Sequence, residues 1–235
     1  MRKIIVGAQV SMDGVMQAPG GPTEDPTQGF TCGGWALPSC DHVFGEELGR
    51  KTYEIFAAYW PYDDDASHGG IAKRFNASKK YAVSRAGEVD TRWAGAVLLR
   101  DLADVKRLKQ EDGPHLVTQG STELVHALLA HDLVDALSIF TVPVVLGGGT
   151  KLCADGSAPH SFTLTPSRVS PQGLLVGHSE REGEIKMGAT TLASPSDRAM
   201  ARRKRRQREG ERFADPVDPV PLGPSRRRNH WEHMA

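Results

Sequence analysis

The chain of 235 residues allows one large domain or two small ones, and with 39% apolar and 25% charged residues it reads as an ordinary globular protein. A core of that size folds without disulfides or structural metal. The 29 basic and 29 acidic residues balance overall, yet Arg198 to Ala235 holds 11 Lys or Arg against 5 Asp or Glu, so a mildly acidic body bears a basic tail and only that tail suggests nucleic acid. Cys32, Cys40 and Cys153 form an odd set without CxxC spacing, which disfavours a disulfide framework and favours a reducing compartment, the cytoplasm. The closest histidine pair on an expected helix, His126 and His131, is five apart rather than four, so no metal is expected there. The apolar run Ile4 to Val10 is too short for a signal peptide and contains Gln9. No stretch approaches the roughly 18 apolar residues of a membrane span.

Lys3 to Ser11 is β-rich and mostly apolar, as a buried strand requires. Asp13 to Pro38 is rich in Gly and Pro and lacks periodicity; loops of this length are usually lids or binding loops. Glu46 to Tyr59 has helical spacing, with Ile55, Phe56 and Tyr59 on one side, and Trp60-Pro61 stops it. The acidic stretch Tyr62 to Gly70 follows. Lys79 to Ser84 and Ala96 to Leu99 are short strands. Asp101 caps a helix carrying Leu102, Val105 and Leu108, which Gly113-Pro114 ends. His115 to Thr118 is a strand, and Ser121 is placed to cap a helix with Leu124, Val125, Leu128 and Leu129 as its apolar stripe. Ala136 to Val145 is a strand again. Phe162 to Val169 and Leu174 to His178, joined through Pro171-Gln172-Gly173, form a closing antiparallel hairpin. Alternating strands and helices predict an α/β fold in three layers, a mostly parallel twisted sheet flanked by helices. Residues 1–189 make the domain; 190–235 are expected to be a disordered, basic, Pro-containing tail.

Several loops have binding chemistry. Gly49-Arg50-Lys51-Thr52 opens a helix, where N–H groups, the dipole and the planar Arg50 fork favour phosphate, although a solvated basic helix start has the same pattern. Gln119-Gly120-Ser121-Thr122 joins a strand to a helix; Gly120 lets a ligand approach the backbone, and the hydroxyls lie at a helix start, although caps alone look the same. Gly147-Gly148-Gly149 leads into no helix and is read as a flexible turn. Asp13 with Gly14 is a turn former before it is an acid.

Four segments in order carry a resemblance: SMDGVMQAPGG from Ser11, LGRKTYE from Leu48, YAVSR from Tyr81, and TQGSTELVHALL followed by LVDALSIFTVPVVLGGGTKL up to Leu152. Together they resemble the dihydrofolate reductase superfamily, most closely the bacterial branch related to the RibD-like C-terminal reductase domain of riboflavin biosynthesis. The resemblance implies NADPH as cofactor. Its phosphates would be held at Gly49, Arg50, Lys51 and Thr52, its 2′-phosphate at Ser84 and Arg85, its diphosphate and nicotinamide side at Gln119, Gly120, Ser121 and Thr122, and its nicotinamide against Ala8, Val15 and Met16. Trp35, Leu37-Pro38 and Asp41 are similar to the pterin-site spacing, so Asp41, and less so Asp13, are the catalytic candidates, Asp41 as a proton relay, although a surface helix cap is the other reading of Asp41. One departure stands out. Only DHVFGEEL separates Asp41 from Gly49, where the family fits a helix and a strand. The implied activity is hydride transfer to a C=N or C=O bond of a small pterin- or pyrimidine-like heterocycle. The alternatives are the 5-amino-6-(5-phosphoribosylamino)uracil reductase of riboflavin biosynthesis and an inactive nucleotide-binding or interaction module. A homodimer is expected by family analogy only, and the basic tail is read as solvated before it is read as a nucleic-acid contact.

Overall fold

The computed structural model describes residues 1–39, 50–63, 71–84, 89–188 and 195–213. Five α-helices and eight strands order these residues. The central strand β1 (Ile4–Ser11) is buried along almost its whole length, with Ile4, Val6, Ala8 and Val10 all in the core. Helices α1 (Arg50–Tyr59) and α2 (Ile71–Ala77) follow, then strands β2 (Lys80–Val83) and β3 (Ala96–Leu99). Next come α3 (Leu102–Gln110), β4 (Leu116–Gln119), α4 (Thr122–Ala130) and β5 (Ala136–Val142). Strands β6 (Ser161–Leu164), β7 (Arg168–Val169) and β8 (Leu175–Gly183) close the domain. Met1–Ile185 is one compact unit and Lys186–Ala235 a second, which contains helix α5 (Asp197–Phe213).

The six-stranded sheet runs β4-β1-β5-β8-β6, with β7 also paired to β8. It is mixed. β1 pairs in parallel with β4 (Ile4 opposite Leu116) and with β5 (Ile5 opposite Ala136), whereas β8 is antiparallel to β5, β6 and β7. The expected parallel pairing therefore holds where helices cross between strands. The last strands follow one another without helices and pair antiparallel instead. β2 and β3 pair in parallel as a separate two-stranded sheet. Gly7 sits where β1 and β4 approach closely: a Cβ there would stand 2.9 Å from the Thr118 carbonyl oxygen, so this strand interior requires glycine.

Local chemistry explains most boundaries. Asp101 caps α3, its Oδ1 accepting from the Asp104 N–H at 2.9 Å. β5 stops at Val142, three residues short of expectation, because Pro143 offers no N–H to the ladder. The turn before β8 forms as expected, with the Gly173 N–H donating to Ser170 O at 2.9 Å and Gly173 at φ +85°. β8 itself continues five residues past His178, through polar sequence that no alternation of apolar residues marks. Helix α2 is absent from the sequence reading. It forms because Phe75 packs with Phe56, Trp60 and Trp93, three aromatics from other segments, and Asn76 accepts from Trp93 Nε1 at 2.7 Å. Helix α5 occupies part of the tail expected to lack order. Arg, Lys, Gln and Ala are strong helix formers, and Ser196 caps the start through a 3.3 Å bond from the Ala199 N–H.

At the N-terminal ends of β1, β4 and β5 the polar groups are used internally. The Asp135 carboxylate accepts the Ile4 N–H at 2.7 Å and pairs with the buried Lys109 ammonium, and Arg2 Nε donates to Pro114 O at 2.5 Å. Among the described residues no helix is long and apolar enough to cross a membrane.

Candidate functional site

Because β1, β4 and β5 run parallel, their last residues, Ser11, Gln119 and Val142, reach one edge of the sheet. Ligands of open α/β sheets bind at that edge. Three connections meet there: residues 12–17 after β1, 120–122 after β4 and 143–151 after β5.

The β4–α4 connection is locally strained. Gly120 has φ +73° and Ser121 follows at φ +60°, ψ +82°, a left-handed conformation that costs a residue with a Cβ about 1 kcal/mol or more. The turn is pinned by the Gly120 N–H donating to Gly7 O at 3.0 Å and by Thr118 Oγ1 donating to Gly120 O at 3.1 Å. Ser121 does occupy the N-cap position, but its side chain makes no capping hydrogen bond, contrary to the expectation from sequence. The left-handed backbone is the reason: it departs from the extended conformation in which a serine hydroxyl reaches the N2 or N3 amide. Amide donors of the first helical turn, which have no acceptor within a helix, and the hydroxyls of Ser121 and Thr122 therefore lie together at the ligand edge, a donor set suited to an anion.

The other two connections are fastened to each other. Asp13 accepts from Ser11 Oγ at 2.6 Å, from the Leu146 N–H at 3.1 Å and from the Gly147 N–H at 2.8 Å. These donors lower its pKa to about 2, the Ser11 hydroxyl contributing most and the Gly147 amide next. The Met12 N–H donates to Val144 O, the Met16 N–H to Thr150 O and the Leu152 N–H to Gly14 O, at 2.8 to 2.9 Å. Gly14 takes φ +88°, the turn expected of Asp-Gly. The glycine run is the counterpart. Gly147 and Gly149 have φ +75° and +114°, and a Cβ on Gly149 would stand 2.8 Å from both Phe30 and Val15.

Sequence reasoning missed Gln17, the hub of this region, which is 2% exposed. Its Nε2 donates to the carbonyls of Asp25 and Thr27 at 3.0 Å, its Oε1 accepts the Thr150 N–H at 2.9 Å, and its carbonyl accepts from Trp35 Nε1 at 2.8 Å. The side-chain amide thus ties the long loop to the glycine turn, and the backbone carbonyl of the same residue holds Trp35. Its one local signal is a long polar side chain between Val15-Met16 and Ala18, all buried. Beside it lies a shallow cavity of about 210 Å³, lined by Gln17, Gln28, Phe30, Cys32, Leu146 and Gly149 among others.

The expected site residues thus divide. Ala8 lies within β1, and Asp13, Val15 and Met16 lie in the connection after it, which reaches the same edge as Gln119, Gly120, Ser121 and Thr122. Ala8 and Met16 pack with Val10, Ile139 and Leu152, and Val15 is fully buried, so these three form the floor of the edge. Ser84 ends the separate β2–β3 pair, buried, with its N–H on Leu99 O at 2.9 Å. Arg50, Lys51 and Thr52 open α1, their side chains beyond the description. Asp41, Gly49 and Arg85 lie outside the described residues. Among the described residues no group of His, Cys, Asp and Glu is arranged to hold a metal ion.

The sequence profile of the RibD C-terminal domain matches residues 2–176. The uncharacterized protein YyaP of Bacillus subtilis (strain 168) is 28% identical over 182 residues, covering 74% of this chain and 92% of its own length. The uncharacterized protein YwjB of the same organism is 27% identical over 160 residues, covering 64% and 82%. Among solved structures, a protein of Shewanella sp. PV-4 named for riboflavin biosynthesis superposes with a TM-score of 0.50 at 20% identity, covering 77% of this chain and 99% of its own; that likeness concerns the fold.

Proposed function

Because this chain belongs to the RibD C-terminal domain family, a reductase-type branch of the dihydrofolate reductase-like proteins, we propose that it is an NADPH-dependent reductase of a small pterin- or pyrimidine-like heterocycle. The observation that carries the reading is the strained Gly120-Ser121 turn at the C-terminal edge of the sheet, whose amides and hydroxyls fit a diphosphate. When bound, the reduced nicotinamide supplies the hydride.

The rest of the mechanism belongs to the protein's own groups. Gly120, Ser121 and Thr122 hold the diphosphate, with Gly49, Arg50, Lys51 and Thr52 as a second phosphate grip. Ser84 and Arg85 select the 2′-phosphate, since a guanidinium fork matches phosphate oxygens in pairs. Ala8, Val15 and Met16 floor the nicotinamide end and keep water out. Asp13 is unsuited to donate a proton: hydrogen bonds hold its carboxyl ionised, with a pKa of about 2. Its role is to fasten the two loops. Proton delivery falls to Asp41, the carboxylate whose sequence spacing from Trp35 and Leu37-Pro38 resembles the pterin site.

Family membership favours a ribosylated aminopyrimidine, the riboflavin-pathway substrate class, as the second substrate reading. Titration with both cofactors tests the proposal. NADPH binds at least about tenfold more tightly than NADH, a difference of about 1.4 kcal/mol, and Arg85→Ala removes that preference while leaving NADH affinity unchanged. A screen of dihydropterins and aminopyrimidines for NADPH oxidation then separates the substrates. Equal affinity for the two cofactors would refute the assignment, and binding without turnover on either class would make the domain an inactive nucleotide-binding module.

A further inference from the structure

Among the described residues, helix α5 is the strongly charged element that the reductase reading leaves without a role. Eight of its 17 residues are Arg or Lys and three are acidic, a net of +5. Arg198, Arg202, Arg205 and Arg206 stand at offsets of four, seven and eight, so they share one helix face. Arg203, Lys204 and Arg208 extend the charge around the middle of the helix, and residues 201–210 are all exposed. The acid Glu209 is paired with Arg205 at 3.6 Å and offsets only part of this charge. No apolar stripe accompanies it. Met200 and Phe213 are the only large apolar residues, near opposite ends of the helix. That pattern lacks the apolar face needed to lie in a membrane surface or to pack on a partner helix.

We propose that α5 is a docking helix for the phosphate backbone of duplex DNA. The four-arginine stripe spans about 12 Å along the helix axis, and its long side chains reach the phosphates that line the groove, about one for each arginine. An α-helix fits the major groove of B-form DNA, whereas the A-form groove of duplex RNA is too narrow for it. Arginine forks are suited to phosphate oxygens. The complementarity also acts on the helix itself. Arg198, Arg202 and Arg206 repel one another at four-residue spacing, and phosphates relieve that repulsion, so docking consolidates the helix. The proposed contacts are to phosphate oxygens, which carry no sequence information, so binding is independent of sequence.

The test uses the full chain and a labelled mixed-sequence DNA duplex in anisotropy titrations at several salt concentrations. For about four neutralised phosphates, affinity falls on the order of a hundredfold between about 50 and 200 mM salt. The variant Arg202→Gln/Arg205→Gln/Arg206→Gln keeps helix propensity; it binds DNA at least about tenfold more weakly, has a salt slope shallower by about three, and retains wild-type NADPH affinity. Circular dichroism records a gain in helix when DNA is added to the wild type and none for the variant. No binding at low salt, or equal binding by the variant, overturns the proposal. So does equal or tighter binding to phosphatidylserine vesicles, to duplex RNA or to polyglutamate, each of which would show a different target or mere polyanion attraction.

Discussion

The two ends of the parallel strands β1, β4 and β5 are finished in different ways. At the N-terminal end, conventional pairing satisfies the charges: Asp135 takes the Ile4 amide and the Lys109 ammonium, and Arg2 reaches the Pro114 carbonyl. At the C-terminal end, the backbone repeatedly leaves the conformations favoured by L-residues, at Gly14, Gly120, Ser121, Gly147 and Gly149. Four of these five are glycines and Ser121 bears strain; among the described residues before β4 and β5, Gly113 and Asp132 also take positive φ, a conformation that Asp tolerates better than Ser. Sequences usually satisfy local rules except where function demands otherwise, so the end that departs from them more often is the one assigned to the ligand.

The contrast is sharpest at Asp135. Asp135→Ala removes the acceptor of both Ile4 N–H and Lys109, leaving a buried ammonium whose side chain is only 10% exposed. The expected loss is about 3 kcal/mol, seen as a drop of about 9 °C in thermal unfolding, with NADPH affinity of the folded protein unaltered. A large loss of cofactor affinity would break the division between a structural end and a binding end.

Ser121→Gly probes the other end and has the opposite sign. Glycine adopts φ +60° without the Cβ penalty, so stability rises by about 1 kcal/mol and unfolding shifts upward by about 3 °C. The same change removes a hydroxyl from the proposed diphosphate cradle and weakens NADPH binding severalfold. Destabilisation would mean that Ser121 is held by contacts rather than strained.

Asp13 gives the smallest effect and a pH signature. Its pKa is lowered from 3.8 to about 2 in the folded protein, so the folded state is favoured by its ionised form. That contribution is present above about pH 4 and is lost as pH falls from there through about 2. Asp13→Asn therefore melts below the wild type at neutral pH, and the gap closes as pH approaches 2. A gap independent of pH would assign the effect to shape rather than to charge.

Much of the structural end was legible in the sequence and less of the binding end. Period and punctuation mark β1, α3, β4 and α4, and Asp101 and Gly173 act as their residue types predict. The Asp13-Gly14 turn was legible for the same reason. Three features were not. Helix α2 depends on aromatics at 56, 60 and 93, and distant packing leaves no local period. Gln17 bonds to Thr150, 133 residues away, so nothing near it reveals its role. Ser121 looked like an ordinary cap, because sequence carries residue type but not the left-handed backbone that withdraws the hydroxyl from capping. In the tail two signals point different ways: the composition offers little to bury, while the individual residues favour helix over Asp197–Phe213.

Hydrogen exchange with and without saturating NADPH tests the division of the two ends most directly. The account predicts added protection at residues 12–17, 120–125 and 144–151, which meet at the C-terminal edge, and unchanged exchange at residues 2–4, 109–115 and 131–135, which close the opposite edge. Protection at the second set, or an exchange map unaffected by NADPH, would contradict it.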